Sequence, residues 1–173
     1  AAGQHDQLAA RKAFRSVGPS QNRTPAAPPP SGPEYLLVDG YNVMFAWDEL
    51  KKGAAENLDA ARRRLMDILC NYAGYRKCVP ILVFDAYRVK GAGREQETWH
   101  NLHVIYTREA ETADMFIERA THELAKNHRV RVVSSDGAEQ IIILGNGALR
   151  VSARAFGREV RAVEAEIREF LDQ

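Results

Sequence analysis

Cysteine is nearly absent from this chain. Cys70 and Cys78 are two among 173 residues, and they share no metal-ligand spacing with each other or with the five histidines. That argues against a disulfide-stapled scaffold and against a zinc site built on cysteine pairs, and it fits two small apolar fillers in a reducing compartment. No apolar run approaches the ~18 residues of a membrane span, and no charged-then-apolar leader occurs, so the sequence predicts a cytoplasmic protein with no membrane segment. Proline is missing from most of the length as well. Only Pro80 lies beyond residue 33, while Pro19, Pro25, Pro28, Pro29, Pro30 and Pro33 crowd the start among Ala, Ser, Gln and Asn. Such a composition cannot bury enough apolar surface to offset ordering entropy and favours an extended form. Residues 1–33 are expected to be a Pro-rich linker or tail, and residues 34–173 one folded domain. Because the chain begins with Ala, it is read as either a processed terminus or the downstream domain of a longer protein.

A large charge of either sign is also lacking. The formal net charge is +1, and Arg11, Lys12, Arg15 and Arg23 against Asp6 place +3 in residues 1–33, which leaves −2 for the rest. The domain is therefore not a broadly basic nucleic-acid binder, and any such contact must use a local patch.

What is present is an alternation of buried strands and amphipathic helices. Tyr35-Leu36-Leu37-Val38 reads as a short strand buried on both faces, and it stops on Asp39-Gly40-Tyr41-Asn42. Val43 to Leu50 reads as a loop or short helix. Leu58, Ala61, Leu65, Ile68, Leu69 and Tyr72 then repeat at helical spacing, with Arg62, Arg63, Arg64 and Asp67 predicted to face out. A second strand, Ile81-Leu82-Val83-Phe84, ends on Asp85, and a glycine-bearing basic loop follows over 87–94. Leu102 to Tyr106 reads as a strand that is half buried or at an edge. Ala113, Phe116, Ile117, Ala120 and Leu124 mark one face of a helix whose first turn holds Glu111 and Asp114. A strand from Arg129 ends on Asp136, and Ile141 to Leu144 reads as a short buried helix. Ser152 is a fitting N-cap for a last helix with Phe156, Val160, Val163, Ile167 and Phe170 inward and Arg150, Arg154, Arg158 and Arg161 on a neighbouring face. This is the α/β order of a mostly parallel sheet joined by crossovers.

Three strands thus end on aspartates, Asp39, Asp85 and Asp136, and a helix starts beside them at Glu111 and Asp114. In open α/β sheets ligands bind beyond the carboxyl ends of the strands, where such side chains converge. Clustered carboxylates repel and persist best around a cation, and Mg²⁺ or Mn²⁺ suits hard oxygen ligands. The chemistry so predicted is hydrolysis of a phosphate ester. Each acid alone is equally a turn former or helix cap. The arginines of 150–161 read first as a solvated face pairing with Glu159, Glu164 and Glu166, and Trp47 and Trp99 suit base stacking or packing alike. A haloacid-dehalogenase-type phosphatase is excluded, since Gly40-Tyr41 follows Asp39 without a second aspartate two positions on. Gly145-Asn146-Gly147 lacks the third glycine of a dinucleotide loop.

Val38-Asp39-Gly40-Tyr41-Asn42, Phe84-Asp85-Ala86 with Val89-Lys90-Gly91, Glu111-Thr112-Ala113-Asp114, Ser135-Asp136, and Gly147-Ala148-Leu149-Arg150 with Ser152-Ala153-Arg154 occur in this order. In that the chain, from about Tyr35 to its end, resembles the YacP-like branch of the NYN domains, PIN-like metal-dependent ribonucleases. The resemblance implies a PIN-like three-layer sandwich around a mostly parallel sheet with acidic residues at the strand ends. It also implies endonucleolytic cleavage of RNA, with ribosome-bound mRNA as substrate and the ribosome as partner. By matching position, Asp39, Asp85, Asp114 and Asp136 would hold the metal, Asn42 and Glu111 would support them, and Arg88, Lys90, Arg150, Arg154 and Arg158 would contact RNA. Such domains are sometimes appended to translation-factor-like proteins, which would fit the Pro-rich lead-in. The alternative from another class is a non-catalytic RNA- or ribosome-binding module with a vestigial acidic site.

Overall fold

The computed structural model describes residues 30–85, 96–135 and 148–173, together with the backbone of Ile143–Leu144. Seven strands form one sheet in the order β3-β4-β2-β1-β5-β7-β6. They are β1 Tyr35–Asp39, β2 Val79–Phe84, β3 Gln96–Trp99, β4 Leu102–Tyr106, β5 Val130–Ser134, β6 Ile143–Leu144 and β7 Ala148–Ser152. The inner strands are parallel, and β3 and β6 run antiparallel along the two edges. The described helices are α1 Gly40–Ala46, α2 Asp48–Glu56, α3 Leu58–Arg76, α4 Ala113–Leu124 and α5 Ala153–Leu171.

Alternation along β1 divides the core. Leu36, Leu37 and Val38 are all fully buried, as expected of a central strand covered on both faces. Leu36 and Val38 pack with residues of α1, α2, α3 and α5, whereas Leu37 packs with Val83, Val132 and the Ala113 and Ile117 face of α4. Three layers result, with four helices on one side of the sheet and α4 on the other. The chain runs outward from β1 to β2 and β4, and then returns to β5 and β7 on the other side of β1. The carboxyl ends of β1 and β5 therefore meet at a topological switch point, where α/β sheets place their crevice.

Local signals fix the helix starts. Asn57 caps α3 by accepting from Ala60 N at 3.0 Å, and Ser152 caps α5 by accepting from Ala155 N at 3.1 Å. Trp47 packs against α5: its indole Nε1 donates to Ala153 O at 2.8 Å, and its ring lies 6.0 Å from that of Phe156. Trp99 donates to Asp67 Oδ1 at 3.2 Å. Both cysteines are free thiols, and burial pushes that of Cys78 up to about 11, which suits an inert filler.

Several elements differ from the sequence reading. Ile143–Leu144 is a strand paired with Leu149 and Ala148, not part of a helix, because its residues extend the edge beside β7; Ile141 and Ile142 lie outside the described residues. β4 is one place in from the edge, since the polar segment Gln96–Trp99 forms a strand against it. Arg62 does not face out: its side chain is 12% exposed, pairs with Asp59 and donates to Tyr41 OH at 3.4 Å. Phe170 is 73% exposed, because a 19-residue helix of about 28 Å outruns five-residue strands of about 17 Å. The glycine-bearing loop over 87–94 and Gly145-Asn146-Gly147 lie outside the described residues. Among the described residues no helix is long and apolar enough to cross a membrane.

Candidate active site

The acidic centre follows from strand alternation. Asp39, the last residue of β1, stands opposite Val83 in β2 and shares its face with Leu37, the face that α4 covers. Asp85 lies two residues past Val83 and comes to the same face. Its Oδ1 accepts from Ala113 N at 2.7 Å, so it caps α4 from outside the helix while Thr112 caps it from within, accepting from Met115 N at 3.2 Å. Asp114 occupies the first turn of that helix. Three acids distant in sequence are thus drawn to the start of α4.

Asp39 is the buried member, 5% exposed. It caps α1, with Oδ1 accepting from Asn42 N at 3.3 Å and Oδ2 from Asn42 Nδ2 at 2.8 Å. Burial raises its carboxyl from an ordinary 3.8 to about 6, the bonds from Asn42 oppose that rise, and the charges of Asp114 and Asp85 add to it. A carboxylate strained by both burial and like charge is a hallmark of a functional site. Asn42 thus bonds both carboxylate oxygens of Asp39. Glu111 turns elsewhere: its Oε1 lies 2.6 Å from Arg119 Nη1, an ion pair by proximity without hydrogen-bond alignment. Asp136, Arg88 and Lys90 lie outside the described residues.

The described donors are hard carboxylate oxygens, the type Mg²⁺ and Mn²⁺ take. Among the described residues no three His, Cys, Asp or Glu side chains close to the spacing that would hold an ion by themselves. In donor type the site fits; the described acids form only part of such a ligand set.

The arginines separate. Arg150 belongs to β7, level with Val132, and faces the α4 side, where its Nε donates to Ser134 Oγ at 2.6 Å. Arg154 and Arg158 belong to α5 on the opposite layer, where with Trp47, Asp48 and Glu49 they line a separate groove of about 550 Å³. The expected common stripe is therefore two sites, because the helix begins only at Ala153. Glu159 and Glu166 are engaged by Arg131 and Tyr75, not by this stripe. Ser134, buried beside Arg150, was not singled out in the sequence; its signal was its place at the end of the apolar run from Val130, two positions before Asp136 in sequence.

Gly40 explains why a glycine follows the buried aspartate. A Cβ there would lie 2.3 Å from Phe84 Cε1, and Phe84 is fully buried between Tyr41 and Tyr106. Gly40→Ala is expected to force the ring aside and to displace Asp85, the next residue along. The loss should be about 1–3 kcal/mol in chemical denaturation, with a larger drop in any RNA cleavage than that instability explains. Unchanged unfolding would show that the ring has room to move.

Fold and site together define an α/β protein with a parallel sheet and an acidic centre at its switch point. The chain belongs to the YacP-like NYN domain family, which it matches over residues 36–173. It is 43% identical over 135 residues to the uncharacterized protein YacP of Bacillus subtilis strain 168, covering 78% of this chain and 79% of that protein. The crystal structure of Rae1 (YacP) from Bacillus subtilis superposes with a TM-score of 0.67 at 41% identity, over 80% of this chain and 79% of that one. A point mutant of the same protein gives a TM-score of 0.64 at 40% identity, over 79% and 80% of the two chains. Family and fold are those of nucleases.

Proposed function

We propose that this protein is a Mg²⁺- or Mn²⁺-dependent endoribonuclease that cuts RNA, with mRNA on the ribosome as its substrate. The observation that carries the reading is Asp39, buried, with its carboxyl raised by burial and by the nearby charges of Asp114 and Asp85. In this reading Asp39, Asp85, Asp114 and Asp136 hold the ion. Bound there, it supplies an activated water and neutralises charge on the phosphodiester. Asn42 fixes the rotamer of Asp39, and α4, through Ala113 N, fixes that of Asp85. Arg88, Lys90, Arg150, Arg154 and Arg158 are the proposed RNA contacts, those of β7 and α5 lying on different faces. Residues 1–33 are proposed as a linker to a translation-factor-like domain, residues 34–173 as the nuclease domain, and the cytoplasm as the place of action.

A translated mRNA on purified ribosomes, with Mg²⁺ or Mn²⁺ supplied or with EDTA added after complexes form, tests this. A cut that requires the divalent ion is expected. A second reading is a binding module without catalysis. Retained ribosome binding with no cut under any condition would establish it instead.

A further inference from the structure

The segment that leads from β4 into α4 presents Asp114 to the acidic centre, and one side chain anchors it. Thr107 is buried, and its N–H donates to Phe84 O at 3.0 Å, which ties the end of β4 to β2. Arg108, Glu109 and Ala110 are exposed in a turn in which Glu111 N donates to Arg108 O at 2.9 Å, and Thr112 is exposed as well. Between these exposed residues Glu111 turns inward, with its side chain 15% exposed. Two positions on, Ala113 N donates to Asp85 Oδ1 at 2.7 Å, and Asp114 follows directly. The placement of Glu111 therefore governs where the first turn of α4 meets the acids of β1 and β2.

Arg119 holds that placement. Helical side chains lean toward the N-terminus of their helix, so a residue in the second turn of α4 can reach back over the first. The guanidinium carbon of Arg119 lies 5.5 Å from the centroid of the Phe116 ring, one turn earlier, and its Nη1 lies 2.6 Å from Glu111 Oε1. That oxygen is buried and makes no hydrogen bond among the described residues, so the guanidinium charge is what compensates its loss of water. An ion pair between two exposed groups would hold little. Here the acid is turned inward and the base, itself 65% exposed, is seated on an aromatic ring, so the pair clasps the start of the helix.

We propose that Arg119 is a positioning residue for the acidic centre: through Glu111 it fixes the first turn of α4, and with it the carboxylate of Asp114 and the amide that orients Asp85. The proposal rests on the metal-dependent nuclease reading and gives Arg119 no contact with ion or substrate. Glu111 serves the site by this pairing and not as a ligand.

Mn²⁺ titrated calorimetrically into the full chain reads the site without RNA. Arg119→Leu, which keeps apolar bulk over Phe116 and removes the charge, is expected to weaken Mn²⁺ binding about tenfold, the scale on which groups that orient metal ligands act. Arg119→Lys should recover most of that loss, because the contact runs through one nitrogen and needs the charge more than the planar fork. A purely structural role would lower the Tm of Arg119→Leu and leave the Mn²⁺ affinity of the folded protein unchanged. That result, tighter binding, or a loss that lysine does not recover would overturn the proposal while the nuclease reading stands. If the wild type takes no Mn²⁺, the metal-dependent nuclease reading falls, and amide hydrogen exchange in EDTA decides the clasp. Exchange at Ala113 and Met115 about tenfold faster in Arg119→Leu would support it, and unchanged exchange would overturn it.

Discussion

Asp39→Asn is expected to lower RNA cleavage by at least about a hundredfold while raising the stability of the cation-free protein at neutral pH. The two effects have one cause. Asp39 is raised from 3.8 to about 6 in the fold, chiefly by burial, which corresponds to at most about 3 kcal/mol against its charged form. The folded state therefore binds a proton that the unfolded chain releases, so stability is fully present below pH 4 and is lost as pH rises through about 6. Asparagine carries no charge and caps helices as well as aspartate, so Asn42 N keeps an acceptor. Only the bond from Asn42 Nδ2 must be remade. A net gain of about 1–2 kcal/mol at pH 7.5, or roughly 2–8 °C in Tm, is expected in EDTA, and it should vanish below pH 4. Adding Mg²⁺ or Mn²⁺ should then raise the Tm of the wild type and not of the variant, by mass action on a site only the former completes. A variant that melts lower than wild type in EDTA would mean that Asp39 serves the fold. A variant that still cuts RNA at the wild-type rate would remove Asp39 from the chemistry.

How much of this was legible depends on what kind of signal a residue carries. The uninterrupted Leu36-Leu37-Val38 run announced a central strand, and the spacing of Leu58 to Tyr72 and of Ala113 to Leu124 announced α3 and α4. Strand alternation then brought Asp39 and Asp85 to one face without further information. Ser152 was legible as a cap because a helical pattern followed it at once, and it caps α5. The cap of α4 was not: Glu111 and Asp114 drew the reading, while Thr112 and the remote Asp85 bond the first amides. A cap supplied from another strand leaves no local trace. β3 was missed because Gln96-Glu97-Thr98-Trp99 has no apolar alternation, as an edge strand against solvent need not. β7 was missed because Arg150, with spacing four from Arg154, looked helical, although the helix starts only after the strand has ended. In both cases hydrogen bonding to a neighbouring strand outweighed periodicity, and a partner strand is invisible in a local window.

Arg131→Ala should be strongly damaging although it lies away from the acidic centre. Arg131 lies in β5 with its side chain on the layer of α3 and α5, where Nη1 donates to both carboxylate oxygens of Glu159 at 3.0 and 2.8 Å. Nη2 donates to Tyr72 OH at 2.7 Å, and Tyr72 OH in turn donates to Glu159 Oε1 at 2.7 Å. Glu34 Oε1 lies 3.1 Å from Nε, so the group ties β5, α3, α5 and the residue before β1. Arg131 is 16% exposed and Glu159 28%, so removal of the cation strands a half-buried carboxylate. The expected cost is about 2–4 kcal/mol, or roughly 5–15 °C in Tm. Burial alone would raise Glu159, but the bonds from Tyr72 and Arg131 and the guanidinium charge hold it below its ordinary 4.5. A depressed carboxyl contributes stability that is present above the ordinary value and lost as pH falls through the folded one. The wild type should therefore lose stability below pH 4.5, and Arg131→Ala should lose that part of the acid limb. Glu34 precedes β1, whereas Asp39 ends it, so the network sits at the far end of the sheet from the acidic centre. At temperatures where the variant is folded, kcat should be unchanged. Arg131→Met with Glu159→Leu should cost less than Arg131→Ala alone, because the carboxylate of Glu159 is no longer left unpaired. If the double variant costs as much as the sum of its singles, the network acts through packing and not through paired charge.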